Sequence, residues 1–337
     1  MRNSIDSIAF LEFLYREFAL LSFLPNLSPE FPLVWHRVAR DIYSIETGPS
    51  GCEHHIQTYV IVDPERRVAI IDPGPRSSAE KLLNNLVELG FTARDVELIL
   101  LTHIHLDHGG GAASLARMLG GKTPIMVHPI GHKHVVDPSR LWQSSRELLG
   151  EVGDIYGRPE NASDLDVREL QDSSAVSLGR IGLRIIYTPG HASHHLSIYA
   201  EDLGALFVGD AAGIYIVGED LLYPTTPPPF RYQHYLSSLE KLLSLKPDIV
   251  AFPHEGARIG YSILERAKEQ IIEWFELVSR GNEALDDIVR VEPQLRRYLE
   301  AVKSEVCRKI VSRLLDLSLK GLREEATRIQ TQEAARG

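Results

Sequence analysis

The chain has 337 residues, of which 44% are hydrophobic and 24% charged, and a formal net charge of −10. That is ordinary globular composition, long enough to bury a core in one large domain or one domain plus an appendage. The acidic balance excludes a general nucleic-acid binder, which would show a basic excess or stripe. The two cysteines, Cys52 and Cys307, exclude a disulfide framework and a thiolate cluster.

The first segment, Met1 to Leu27, is apolar, with Phe10, Phe13, Leu14, Phe18 and Leu21 among its large residues. Glu12, Arg16 and Glu17 interrupt the run, Asp6 weakens a positive start and no A-x-A site follows, so it does not read as a signal peptide. The uncharged stretch from Phe18 is too short to span a bilayer. Residues 1–39 therefore read as an N-terminal helical segment, with an amphipathic helix that packs on the body or on a second subunit. The expectation is a soluble, cytoplasmic protein with no membrane partner, able to form a homodimer through its helical segments.

Strand-like runs rich in Val, Ile and Tyr follow over Arg40–Thr47, Gln57–Asp63, Arg67–Asp72, Glu97–Thr102, Pro124–His128, Leu183–Thr188, Leu196–Ala200, Ala205–Gly209 and Asp248–Pro253. Helical periodicity falls between them. Ser78–Gly90 sets Leu82, Leu83, Leu86, Val87 and Leu89 on one side, and Tyr232–Leu245 repeats the pattern with Leu236, Leu239, Leu242 and Leu243. This alternation predicts an α/β domain with helices outside sheets over residues 40–259. Within it, His132–Asp172 is charged and glycine-punctuated, and reads as a helical insertion able to cover a site as a lid or to run as a solvated excursion. Residues 260–337 carry only helical pattern. Leu295, Leu299, Val302, Val306, Ile310, Leu314 and Leu317 form a packing stripe, and Thr327–Gly337 is expected to fray.

The chemistry concentrates in Thr102-His103-Ile104-His105-Leu106-Asp107-His108-Gly109. Alternate residues of an extended segment point to one side, so His103 and His105 can face one point. Asp107 and His108 sit where the chain turns through Gly109-Gly110-Gly111 and approach from another angle. Neutral imidazoles and carboxylates are ligands for zinc or non-haem iron; a polar, His-rich turn is the plain alternative. Three further runs end on the same residue types: Thr188-Pro189-Gly190-His191, Phe207-Val208-Gly209-Asp210 and Phe252-Pro253-His254. Strand ends on a rigid sheet are where function gathers.

In this order the motifs THIHLDHGGG, TPGHASHH, FVGD and a late strand-terminal histidine resemble the metallo-β-lactamase superfamily, over about Arg40 to Gly260. The resemblance implies an αββα sandwich with a C-terminal helical appendage, and a dinuclear site along one edge of the two sheets. It implies that His103, His105 and His191 hold one ion, that Asp107, His108 and His254 hold the second, and that Asp210 bridges. It implies two divalent metal ions, zinc by preference, with iron and manganese accepted by the same ligands. Asp72, in Ile70-Ile71-Asp72-Pro73-Gly74, and His195 match residues that orient the ligands. Asp107 and Asp210 are then the catalytic carboxylates, offsetting cationic charge, with Asp107 placed to relay a proton.

The intact HxHxDH and the bridging aspartate resemble the glyoxalase II-like hydrolases. The implied activity is hydrolysis of a small carbonyl ester, thioester or lactone, with a small molecule as partner and no nucleic acid. A mononuclear-iron persulfide dioxygenase is the alternative from another enzyme class, and a phosphodiesterase or nuclease and a non-catalytic metal-binding scaffold rank lower. The stiff run Pro224-Thr225-Thr226-Pro227-Pro228-Pro229 suits a pocket wall or a connector. Tyr215 is placed to meet a substrate oxyanion, with a packed loop tyrosine as the commoner case. Among the remaining histidines, His54 and His55 stand nearest the expected site.

Overall fold

Several strands carry apolar side chains on both faces and must be covered twice. The computed structural model, which describes residues 35–281 and 285–335, meets that demand with two sheets laid face to face and helices on both outer faces. The first sheet holds seven strands in the order β1 (Trp35–Ala39), β2 (Ile42–Glu46), β3 (Gln57–Val62), β4 (Val68–Ile71), β5 (Val96–Leu100), β6 (Ile125–Val127) and β7 (Val167–Glu169). It is antiparallel from β1 to β4 and parallel from β4 to β7. The second holds β8 (Ala175–Leu178), β9 (Ile181–Tyr187), β10 (Leu196–Ala200), β11 (Ala205–Phe207), β14 (Ile249–Phe252) and β15 (Gly256–Ile259), in the order β15-β14-β11-β10-β9-β8. A short hairpin, β12 (Ile214–Ile216) and β13 (Leu221–Tyr223), stands apart.

The period of two decides which side chain goes where. Tyr59, Ile61, Ile71, Leu98 and Leu100 face inward and meet Leu183, Ile185, Ile198, Phe207 and Ala251 of the second sheet. Their sequence neighbours Val60, Ile70, Ile99 and Leu101 face outward, onto α1 (Ala79–Glu88) and α3 (Ala112–Met118) through Leu82, Leu86 and Leu115. On the other side Leu206, Val250 and Phe252 pack on α7 (Tyr232–Ser244) and α8 (Ser262–Ser279) through Leu239, Leu242, Ile263 and Trp274. The αββα sandwich follows from that alternation.

Three expectations are revised. Residues 1–39, expected to be helical, end in a strand: Trp35–Ala39 pairs with Ile42–Glu46, the strand of the run beginning at Arg40, through a turn in which Asp41 takes φ 69°, so the sheet begins before residue 40. The segment 132–172 is helical at first, in α4 (Pro129–Val136), α5 (Ser139–Leu149) and α6 (Glu151–Tyr156), but then returns as β7 to pair with β6. It is partly an edge of the first sheet. The C-terminal stripe is split between α10 (Pro293–Ala301), which follows α9 (Leu285–Val291), and α11 (Glu305–Ala334), whose N-cap Ser304 accepts from the Cys307 amide. Helix α11 runs through Ala334, so the tail from Thr327 is not frayed there. The apolar helix expected over Met1–Leu27 lies outside the described residues.

The two cysteines are bonded to each other across 255 positions. This is a single staple rather than a framework, and both cysteines are buried. Among the described residues no helix is long and apolar enough to cross a membrane.

Candidate metal centre

Strand ends deliver the site. Beyond β5 the chain presents His103 and His105, then enters the one-turn helix α2 (Leu106–Gly109), which carries Asp107 and His108. The glycines after it allow a close backbone approach. A Cβ on Gly111 would lie 3.0 Å from the Pro75 carbonyl oxygen, and the Gly111 amide donates to Gly74 at 2.8 Å. His191 follows β9, Asp210 follows β11 and His254 follows β14. Every one of the residues expected to ligate or orient metal comes to this edge, and all but the partly exposed His105 are buried.

Six of the seven donor groups fall into two sets of three. His103 Nε2 lies 3.1 Å from His105 Nδ1, which lies 2.9 Å from His191 Nε2. Asp107, His108 and His254 form a second triad, with Asp107 Oδ2 3.8 Å from His108 Nε2 and 4.0 Å from His254 Nε2. Asp210 stands between the sets. Its Oδ2 is 3.4 Å from His191 Nε2, while its Oδ1 is 3.5 Å from His108 Nε2 and 3.6 Å from His254 Nε2. One carboxylate thus offers an oxygen to each triad.

The other ring nitrogens explain why these atoms point inward. His254 Nδ1 donates to the His55 carbonyl at 3.0 Å, and His191 Nδ1 to the Thr225 carbonyl at 2.9 Å. Each donation leaves Nε2 with a free lone pair. His108 Nδ1 is 3.1 Å from Asp72 Oδ2. The Thr102 hydroxyl donates to that same carboxylate at 2.6 Å and so accepts from His103 Nδ1 at 3.1 Å. Asp72 also accepts from the Thr102 amide at 2.8 Å, and is spent on orienting two imidazoles. Its own backbone is held at φ 50°, in the left-handed region, with its carbonyl accepting from Thr58 at 2.6 Å. His195 plays the matching part for Asp210. Its Nε2 accepts from the Asp210 amide at 2.9 Å, and its Nδ1 is tied to Thr188 Oγ1 at 2.8 Å. Gly209 makes room for this ring, because a Cβ there would stand 2.5 Å from His195 Nε2.

The electrostatics suit cation binding. Burial, then the neighbouring imidazoles, hold His103 and His191 well below the ordinary histidine range and His105 down to about 3. Burial and then His55 and His108 do the same for His254. Burial opposes a charged His108 as well, but Asp210, Asp107 and Asp72 together outweigh it and push that ring up to about 10. Burial, with Asp107 and Asp72, lifts Asp210 to about 7 against the pull of His108. His108 Nε2 and Asp210 Oδ1 are both buried without a hydrogen-bond partner. Neutral imidazoles crowding their lone pairs, beside orphaned donor atoms, fit divalent cations. For tetrahedral Zn–N bonds of about 2.0–2.1 Å, neighbouring nitrogens stand roughly 3.3 Å apart, close to the spacing in the first triad.

Other candidates settle elsewhere. Tyr215 donates to Asp220 at 2.8 Å, accepts from Arg258 at 3.0 Å and packs against Phe252. His54 is exposed. His55 is buried, its ring 4.9 Å from that of His254 and its Nδ1 3.4 Å from Glu255. His194 brings its ring to 5.5 Å from that of His105. Sequence reasoning also missed Thr102, Thr188 and the Thr225 carbonyl, which act through hydrogen bonds that no motif advertises. The proline-rich run contributes that carbonyl.

Comparison with known proteins identifies the family. A sequence model of the metallo-β-lactamase superfamily matches residues 53–254. A metallo-β-lactamase fold-containing protein of Sulfurisphaera tokodaii is 30% identical over 289 residues, 85% of this chain and 97% of that protein. The crystal structure of that archaeal protein superposes with a TM-score of 0.63 at 28% identity, covering 85% of this chain and 99% of that one. A hydroxyacylglutathione hydrolase of Haemophilus influenzae is 28% identical over 206 residues, 59% of this chain and 84% of that enzyme. The family match runs from the loop before β3 to His254, the span that delivers every donor described above, and the chain belongs to the metallo-β-lactamase superfamily.

Proposed function

We propose that the protein is a dinuclear metallohydrolase acting on a small carbonyl ester, thioester or lactone. The observation that carries this reading is Asp210, whose two oxygens are divided between a three-histidine set and an Asp107–His108–His254 set. His103, His105 and His191 would hold one divalent ion and Asp107, His108 and His254 the other, with zinc as the preferred metal. Such a pair supplies a water ionised near neutral pH and a Lewis acid for a carbonyl oxygen.

The chain's own groups do the rest. Asp72 and Thr102 keep His103 and His108 in the tautomers that leave Nε2 free. His195 fixes the Asp210 backbone. Asp107 and Asp210 offset cationic charge, and Asp107, the least buried of the acidic groups at 7% exposure, is placed to take a proton from the attacking water and deliver it to the leaving group. The Haemophilus relative, named a hydroxyacylglutathione hydrolase, supports an acyl substrate for this chain. The cytoplasm is the compartment we infer.

Metal analysis of the purified protein with an acyl-substrate panel tests the reading. The expected result is two divalent ions per chain and turnover of an ester, thioester or lactone, lost on chelation and restored by zinc. One iron per chain with oxygen consumed on glutathione persulfide would overturn it, as would turnover confined to phosphodiesters. Asp107→Asn, reloaded to two ions per chain at excess metal, should lose turnover; full turnover in that reloaded variant would remove Asp107 from proton transfer.

A further inference from the structure

Two phenols beside the centre are buried with nothing to bond. Tyr156 closes helix α6 and Tyr223 closes strand β13; both are at most 1% exposed, and neither hydroxyl has a hydrogen-bond partner among the described residues. By contrast, Tyr59 and Tyr298, also buried, donate to the Phe252 carbonyl at 2.6 Å and to Glu255 at 2.8 Å. A buried hydroxyl without a partner is unfavourable and calls for an explanation.

Their placement supplies one. Helix α6 packs against α2, the turn that carries Asp107 and His108, and it is set off by two left-handed glycines, Gly150 at φ 59° and Gly157 at φ 84°. The chain therefore spends a separate short helix on seating Tyr156 in the same apolar cluster as Leu106 and Tyr223. The Tyr156 phenol lies within electrostatic reach of Asp107, Asp210 and Tyr223, and the Tyr223 phenol within reach of Glu255 and Asp210. Burial first, and then these carboxylates, hold both phenols above their ordinary range, so each is a donor at neutral pH. Neutral donors suit a neutral carbonyl oxygen, whereas a carboxylate or phosphate is ordinarily met by Arg or Lys. The charged side chains named around these phenols are acidic.

We propose that the Tyr156 and Tyr223 hydroxyls together hold the acyl oxygen of an uncharged ester, thioester or lactone at the Asp107–Asp210 side of the centre. This rests on the hydrolase reading and narrows it: the insertion carrying α6 is a specificity element, and substrates charged at the acyl end are disfavoured.

The test uses Tyr156→Phe and Tyr223→Phe in the full-length, zinc-loaded protein, with p-nitrophenyl acetate and γ-butyrolactone as substrates. Unreactive γ-butyrolactam serves as a binding probe, followed by its carbonyl ¹³C resonance. Because each change removes only an orphaned hydroxyl, thermal midpoints should hold or rise in both metal-free and loaded protein, while kcat/KM falls at least tenfold and the lactam shift disappears. A midpoint lowered by several degrees would mean the hydroxyls serve the fold, and unchanged turnover with unchanged lactam binding would mean they serve nothing at the site. Either result overturns the proposal. If the wild type turns over no acyl substrate, the hydrolase reading fails and the lactam decides alone. Binding by the wild type that is lost in the variants supports the phenolic grip; any other pattern rejects it.

Discussion

At the scale of single residues, the site depends on groups that never touch a metal. Thr102 stands between Asp72 and His103, donating to one and accepting from the other. Thr102→Val keeps the shape and breaks both bonds. Losing such an outer partner typically weakens metal affinity 10–100-fold, and the same loss is expected here, measured by chelator competition with the thermal midpoint of the metal-free protein nearly unchanged. The buried imidazoles set the acid response. In metal-free protein, burial and neighbouring rings hold His103, His105, His191, His195 and His254 below their ordinary range, whereas an unfolded chain titrates them near 6.5. The unfolded state then binds more protons as pH falls from about 6.5 through about 3, so stability drops on acidification. Asp210, pushed up to about 7 by burial, works in the opposite direction over pH 4–7, one group against five. His108, pushed up to about 10, contributes in full below pH 6.5 and loses its contribution as pH rises through 10. The metal-free protein should therefore be most stable near neutrality, by urea midpoints across pH 4–10; a midpoint that kept rising below pH 5 would contradict this.

At the scale of elements, what was legible in the sequence followed from period and spacing. Strands with apolar side chains on both faces, such as Val68–Ile71 and Val96–Leu100, announced themselves, and the residues expected as ligands could be named because they stand at or just beyond strand ends. Strand β7 did not, because Val167-Arg168-Glu169 is a three-residue edge without a hydrophobic run, and β8 and β15 are edges of the same kind. The part played by the C-terminal helices was equally hidden, since a packing stripe does not say what it packs on. Helix α11 presses on the loop that fixes His191: Thr226 bonds Ser318 through its amide at 3.2 Å and its hydroxyl at 2.8 Å, one residue beyond the Thr225 carbonyl that takes the His191 proton. It also holds the insertion, through Arg313 to the Leu148 carbonyl and Lys309 to Glu151. Gly321 marks the tightest contact, where a Cβ would stand 1.8 Å from the Thr226 carbonyl oxygen. Alanine gains up to about 1 kcal/mol of helix propensity over glycine. Overpacking against backbone costs about 1–3 kcal/mol, and at this separation it wins. Gly321→Ala should lower both stability and metal content, read by thermal unfolding and metal analysis; an unchanged metal content would sever α11 from the site.

At the scale of the whole molecule, the Cys52–Cys307 bond ties the loop between β2 and β3 to the first turn of α11. Two cysteines so far apart in sequence gave no pattern to read, and only the fold brings their Cα atoms to 4.7 Å. The bridge opens the turn Glu53–His55, whose last carbonyl receives the His254 Nδ1 proton, while the Gln57 amide donates to Pro253 at 2.7 Å. Closing a loop of that span restricts the unfolded chain by about 5 kcal/mol in the chain-entropy model, the upper end of what disulfides contribute. Such bonds persist in oxidising compartments and in the cytosol of hyperthermophiles, so a cytoplasmic location requires either such a cell or sulfurs that stay out of reach of reductant. Protein unfolded without reductant should show no free thiol, and reduction followed by alkylation should lower the urea midpoint steeply. Because the freed loop carries the His55 carbonyl, the alkylated protein, loaded with the two ions proposed for it, should also surrender the ion on the His254 side to a chelator sooner than the other. Equal release of both ions from bridged and alkylated protein would show that the bond serves the fold alone.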